Sequence, residues 1–199
     1  MMHKKIQLKG RQSGFTLVEL IIALSVVTLI LLASGVFSFS GAQSKSTNIL
    51  SIMKELANGA LRYNAHTGLM PKAPVSLFDS AKNTASETFQ GVATTSWKGP
   101  YVNGFGADAN GKYKLDAYVS GSTITFAKTT TGLPSGATVG YQAVVENIPN
   151  EIVNQVVADC NGTSTTTPLP TSHANGDKCL GTNDATAGVG TVKYLFSSM

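Results

Sequence analysis

The sequence predicts an α+β protein: one long N-terminal α-helix packed on an antiparallel β-sheet of four or five strands, with a disulfide-bounded C-terminal region. Three observations carry this expectation. An almost uncharged apolar run fills residues 15–33, an amphipathic stripe at helical spacing follows it, and beyond Gly68 the chain breaks into short apolar segments separated by turn residues.

In the first of these, Glu19 is the only charge between Phe15 and Ala33, and the next charged residue is Lys45. Nineteen such residues are enough to cross a bilayer. Lys4, Lys5, Lys9 and Arg11 precede the run, so the excess of positive charge keeps residues 1–14 in the cytoplasm and sends the rest of the chain across. Residues 1–14 read as a targeting segment outside the fold. A carboxylate inside the run needs its own explanation, because a charge at the centre of a bilayer costs about 2.5–3.5 kcal/mol. Glu19 sits early enough in the run to snorkel to the headgroups. Its neighbours suggest a second role.

Gly14-Phe15-Thr16-Leu17-Val18-Glu19 closely resembles the processing site of type IV prepilins and of the related pseudopilins of type II secretion. The resemblance implies a leader over 1–14, cut after Gly14 by a membrane-bound prepilin peptidase that then N-methylates Phe15. It also implies an assembly role for Glu19 in a filament whose core holds the 15–33 helices. A cation meeting a buried carboxylate makes it tolerable, and cleavage creates one, the α-amine of Phe15 in a neighbouring subunit. The partners so implied are copies of the same chain, the peptidase, the membrane before assembly, and an inner-membrane assembly machinery with its cytoplasmic ATPase. The implied location is the bacterial inner membrane for the subunit pool and the cell exterior for the pilus, used for adhesion, motility or DNA uptake.

An ordinary signal peptide is the competing reading, with Ser40-Gly41-Ala42 as its cleavage region, a mature chain starting near Gln43, and a secreted binding domain as the product. The run is longer than an ordinary signal's apolar core, and it holds an acid near its start. Four of the 15 Lys+Arg precede Phe15, while all 11 Asp+Glu follow it, so the remainder is formally neutral. The basic pI of about 9.1 therefore belongs largely to the leader, and nucleic acid is not expected as a partner. Few charges and much Gly, Ser and Thr suit a subunit that packs against its own copies.

The second stripe comprises Ile49, Ile52, Met53, Leu56, Ala60 and Leu61, interleaved with Lys54, Glu55 and Arg62, and His66-Thr67-Gly68 ends it. A continuous helix over 15–65 would be a rod of about 51 residues, roughly 75 Å long. Gly35, Gly41 and Gly59 are places for it to bend; many prepilin relatives have a proline near position 36, where this chain has Val36. The globular domain then occupies 66–199.

Within it, Trp97 to Val102 reads as a loop entering a strand, with Trp97 as a core anchor. The Gly-Pro-Tyr element there resembles one common in pseudopilins. Lys112–Val119 and Thr123–Ala127 form the clearest hairpin, turning at Ser120-Gly121-Ser122. Ala137–Val145 is another strand. A helix starts in Asn147–Glu151, presents Ile152, Val153, Val156 and Val157 to the sheet, and ends near Cys160–Gly162. Thr191–Phe196 is a late strand.

Cys160 and Cys179, the two cysteines, both lie in the exported part and read as a disulfide. With 18 residues between them, the bond contributes roughly 3 kcal/mol in the chain-entropy account. They staple a Thr-, Ser- and Pro-rich surface loop over 161–178. A helix before such a region resembles type IVb pilins, and the leader is longer than in most type IVa prepilins, although Phe15 is typical of them; the same first 33 residues would serve a minor pilin or a type II secretion pseudopilin. Within the loop, the Thr-rich stretch 161–172 is a candidate adhesive surface, to be tested by deletion of Thr163–Thr167. Asp177, Asn183 and Asp184 read as solvated turn acids and amides rather than calcium ligands, and Asn161-Gly162-Thr163 fits a glycosylation sequon. The histidines, at 3, 66 and 173, are scattered among polar segments and form no nucleophile, metal or phosphate pattern. Neither enzyme activity nor a cofactor is expected.

Overall fold

The computed structural model describes residues 17–33, 41–103, 106–163 and 168–199. It divides into two compact units, one up to Phe39 and one from Ser40 onward. In the first, helix α1 covers Leu17–Ala33. Leader residues 1–14, and the bend positions Gly35 and Val36, lie outside the described residues.

The second unit opens with α2, Gly41–Thr67. It ends where Gly68 takes a left-handed φ of 72° and returns its N–H to Asn64 O. The stripe falls as its spacing predicts at Ile49, Met53, Leu56 and Ala60, all fully buried. Leu61 departs from it: one position past Ala60 is about 100° around the helix, and the side chain is 38% exposed. Tyr63 takes the next inward position. At Gly59 the helix continues without a break, and the glycine serves close packing: a Cβ there would meet Val102 Cγ1 at 2.7 Å and Leu77 Cδ1 at 3.1 Å.

Five strands follow: β1 Tyr113–Lys114, β2 Thr123–Thr129, β3 Gly140–Pro149, β4 Cys179–Asn183 and β5 Val189–Ser198. They form one antiparallel sheet in the order β1-β2-β3-β5-β4. Helix α3, Asn150–Asn161, lies between β3 and β4 in the chain. The paired rows Ile124–Val145–Val192 and Phe126–Ala143–Tyr194 face both helices, closing one core with Met53, Leu56, Val153 and Val156. Beside it, buried Ser46 of α2 donates to Asp159 of α3 at 2.7 Å.

Four expectations change. The hairpin is present, but its first strand shrinks to two residues: fully buried Leu115 keeps one cross-strand bond, from its N–H to Ser122 O at 2.9 Å, while its carbonyl turns away to accept from Tyr118 N and Val119 N. Asp116 Oδ1 then caps the turn by accepting from Gly121 N. The strand expected to end at Val145 runs on to Pro149, past a bulge at Asn147, whose φ is 59°. Ser122 Oγ donates to the Asn147 carbonyl at 2.6 Å, and α3 begins directly at Asn150. Residues 97–103 form no strand: Tyr101 N bonds Leu77 O and Arg62 donates to Tyr101 O, which fastens this segment as a loop against α2. Strand β4, finally, begins directly after the 161–178 loop, in a stretch for which no strand is expected and whose Asn183 reads as a turn residue.

Candidate functional site

Over its described side chains, helix α1 has no polar face. Of its described side chains, Leu17, Val18, Leu20, Ile21, Ile22, Leu24 and Val26 are 48–76% exposed, and Glu19 lies among them in the first described turn. Ser25 turns its hydroxyl back to Ile22 O at 2.8 Å, keeping that polar group within the helix. A helix apolar all round belongs inside other matter, lipid or protein, rather than against water on one side. Among the described residues no helix is long and apolar enough to cross a membrane; the 17 residues of α1 make about 25 Å of helix, against a hydrocarbon core about 30 Å thick. Gly14 and Phe15, the expected cleavage and methylation positions, lie outside the described residues.

Residues 9–35 match the prokaryotic N-terminal methylation motif. The chain carries the prepilin signature. The matched stretch takes in Gly14, Phe15 and Glu19, and α1 is the part of the signature that the described residues include. Searches of curated proteins and of solved structures return no match. The prepilin signature thus rests on 27 residues, and the larger α+β unit is read from its own physics.

In that unit Cys160 and Cys179 form the expected disulfide, with Cα atoms 6.0 Å apart, joining the last turn of α3 to the start of β4. Gly162 caps α3 with a left-handed φ of 67°. Asn161 adds a second, noncovalent stitch. Its Oδ1 accepts from Lys178 N at 3.0 Å and Cys179 N at 2.9 Å, and its Nδ2 donates to Cys179 O at 2.8 Å. The amide that the sequon would offer for glycosylation is therefore committed to holding β4. Residues 164–167, in the middle of the 161–172 segment offered for adhesion, lie outside the described residues.

Asp184 is a turn acid: its Oδ1 accepts from Thr186 N at 2.8 Å and Ala187 N at 3.0 Å, and these bonds hold its pKa below the ordinary carboxylate range. Asp177 lies beyond the opposite end of β4, about 13 Å or more away along the strand, so the three residues weighed for calcium do not converge.

Three aromatic and histidine placements were less legible. Trp97 is half-buried at the rim of the core, donating Nε1–H to Ser76 O at 3.0 Å and meeting Tyr101 edge-on. His66, in the last turn of α2, contacts the Tyr101 hydroxyl at 3.2 Å. His173, expected in a polar loop, is fully buried. Only its polar neighbours in sequence were visible beforehand; its partner Gln142 is 31 residues away.

Proposed function

We propose that this chain is a structural subunit of a type IV pilus, processed at Gly14/Phe15 and polymerised through its N-terminal helix. The prepilin signature over 9–35 is the observation that carries the reading. The absence of a polar face on α1 supports it, since such a helix is at home first in lipid and then among copies of itself. Moving between those two surroundings yields little hydrophobic gain, because lipid tails are as apolar as the helices. Packing and charge pairing then decide assembly, and extraction needs work from an inner-membrane machine.

In this scheme Glu19 meets the α-amine of a neighbour's methylated Phe15, and the pair is neutralised as both leave the headgroup region. Glu19→Ala is expected to leave the chain exported and processed while abolishing filaments, read by electron microscopy and by the pellet after shearing. Abundant filaments from that variant would remove the role given to Glu19.

Mass spectrometry of the N-terminal peptide of sheared protein tests the processing step. A chain starting at methylated Phe15 is the expected result. A start near Gln43 would mean an ordinary signal peptide and end the filament reading. A methylated chain that never appears in the sheared fraction would instead make it a pseudopilin, working beneath the outer surface.

A further inference from the structure

Residues 172–177 lie on the sheet face opposite the helices. Gln142 and Val144 alternate with core-facing Ala143 and Val145 and so point to that side, yet both are more than nine-tenths buried. One cover is the turn at His173–Asn175. His173 N donates to Gly132 O at 2.8 Å and Ser172 Oγ to the same carbonyl at 3.3 Å. Inside, His173 Nδ1 is 2.7 Å from Asp177 O and Nε2 is 2.8 Å from Gln142 Nε2.

These partners specify a protonation state. A carbonyl oxygen only accepts, so Nδ1 carries the hydrogen, and Nε2 must then accept from the Gln142 amide. The bonds are satisfied by neutral imidazole alone. A second ring proton would face the Gln142 –NH2 and would place a charge where no water reaches. Either the Gln142 amide turns over around a buried cation, or the segment leaves.

Two charged groups act on the ring: Asp177, at the end of the same segment, favours protonation, and Lys193 of β5 opposes it. Gln142 of β3 is neutral, and residues 130–139 contain no ionisable side chain. Burial outweighs the others and pushes the His173 pKa down from its ordinary value.

We propose that His173 is an acid-sensitive latch: protonation frees residues 172–177 from the outer face of the sheet while the helix–sheet core stays folded. The sign follows from linkage. Once the segment opens, His173 regains an ordinary pKa of about 6.5, so the latch is fully engaged above that pH. It weakens as pH falls from there through the lower, latched value. If the latched ring stays neutral, the opening equilibrium grows by up to about 30-fold at pH 5.

The test is amide hydrogen exchange by NMR on the full chain in detergent micelles with the disulfide intact, corrected for the intrinsic pH dependence. His173 and Gly176 amides are expected to lose up to about 25-fold of protection between pH 7 and pH 5, with Val144 and Val192 unchanged. Gln142→Glu, which sets a carboxylate against Nε2, is expected to abolish or reverse that response. Constant protection at His173 and Gly176 overturns the latch, as does loss of Val144 and Val192 protection in step with them. A wild-type acid response in Gln142→Glu overturns His173 as the titrating group.

Discussion

Helix α2 places Ile49, Met53, Leu56, Ala60 and Tyr63 at no measurable exposure, whereas the apolar side chains of α1 from Leu17 to Val26 remain half to three-quarters exposed. The sequence difference behind this is small. Helix α2 sets Lys45, Lys54, Glu55 and Arg62 between its apolar residues, giving it a wet face and a dry one, and the dry face finds the sheet of its own unit. Over the described residues α1 has Glu19 as its one charge and no wet face, so an intrachain sheet could cover only part of it. The spacing of a few charges therefore sorts a helix with one dry face, which completes a domain, from one whose described side chains are apolar nearly all round.

The largest expected effect uses that contrast. Leu56→Ala, in the centre of the α2 stripe, is expected to cost the globular unit about 2–5 kcal/mol in denaturant unfolding of the full chain, followed by Trp97 fluorescence. Leu20→Ala in α1 is expected to change the same transition by less than about 0.5 kcal/mol. Equal losses would show that α1 shares the core of the globular unit and would erase the distinction.

How far each region was legible follows from the range of the forces involved. The α2 stripe, the end of α3 at Gly162, the disulfide and strand β5 were readable because periodicity, a glycine cap, a cysteine pair and a β-branched run are local signals. The signature around Gly14 and Glu19 was local too. What escaped depends on partners distant in sequence. Strand β4 is a poor strand former, Cys-Leu-Gly-Thr-Asn, held in place by β5, the disulfide and Asn161. Leu115 is drawn into the core as its carbonyl turns from β2 to Tyr118 N and Val119 N, and Asn147 takes a left-handed turn whose carbonyl is fixed by Ser122, 25 residues earlier. His173 looked solvated because Gln142 and Gly132 approach only in the folded chain.

Strand β4 supplies the next tests, because apolar burial does less there than in α2 and the chain substitutes a covalent link. Cys160→Ser is expected to destabilise the unit by roughly 3 kcal/mol, the loop-closure contribution of the ring. Hydrogen exchange in the variant should rise first in β4 and last in β3, since β3 is paired on both sides. Uniform exchange across the sheet would mean that β4 is as integral to the core as the central strands.

The smallest effect separates the two stitches at that end. Asn161→Ala removes acceptors from Lys178 N and Cys179 N and a donor to Cys179 O; water replaces the lost partner cheaply at exposed Lys178 and less readily at buried Cys179. A loss of about 1 kcal/mol is expected with the disulfide formed. In Cys160→Ser the same substitution should cost more, because Asn161 is then the remaining tie between the end of α3 and the start of β4. A double-mutant cycle measures the difference. A coupling of zero would mean that the amide and the disulfide hold β4 independently, and that the pairing with β5 alone already fixes the strand.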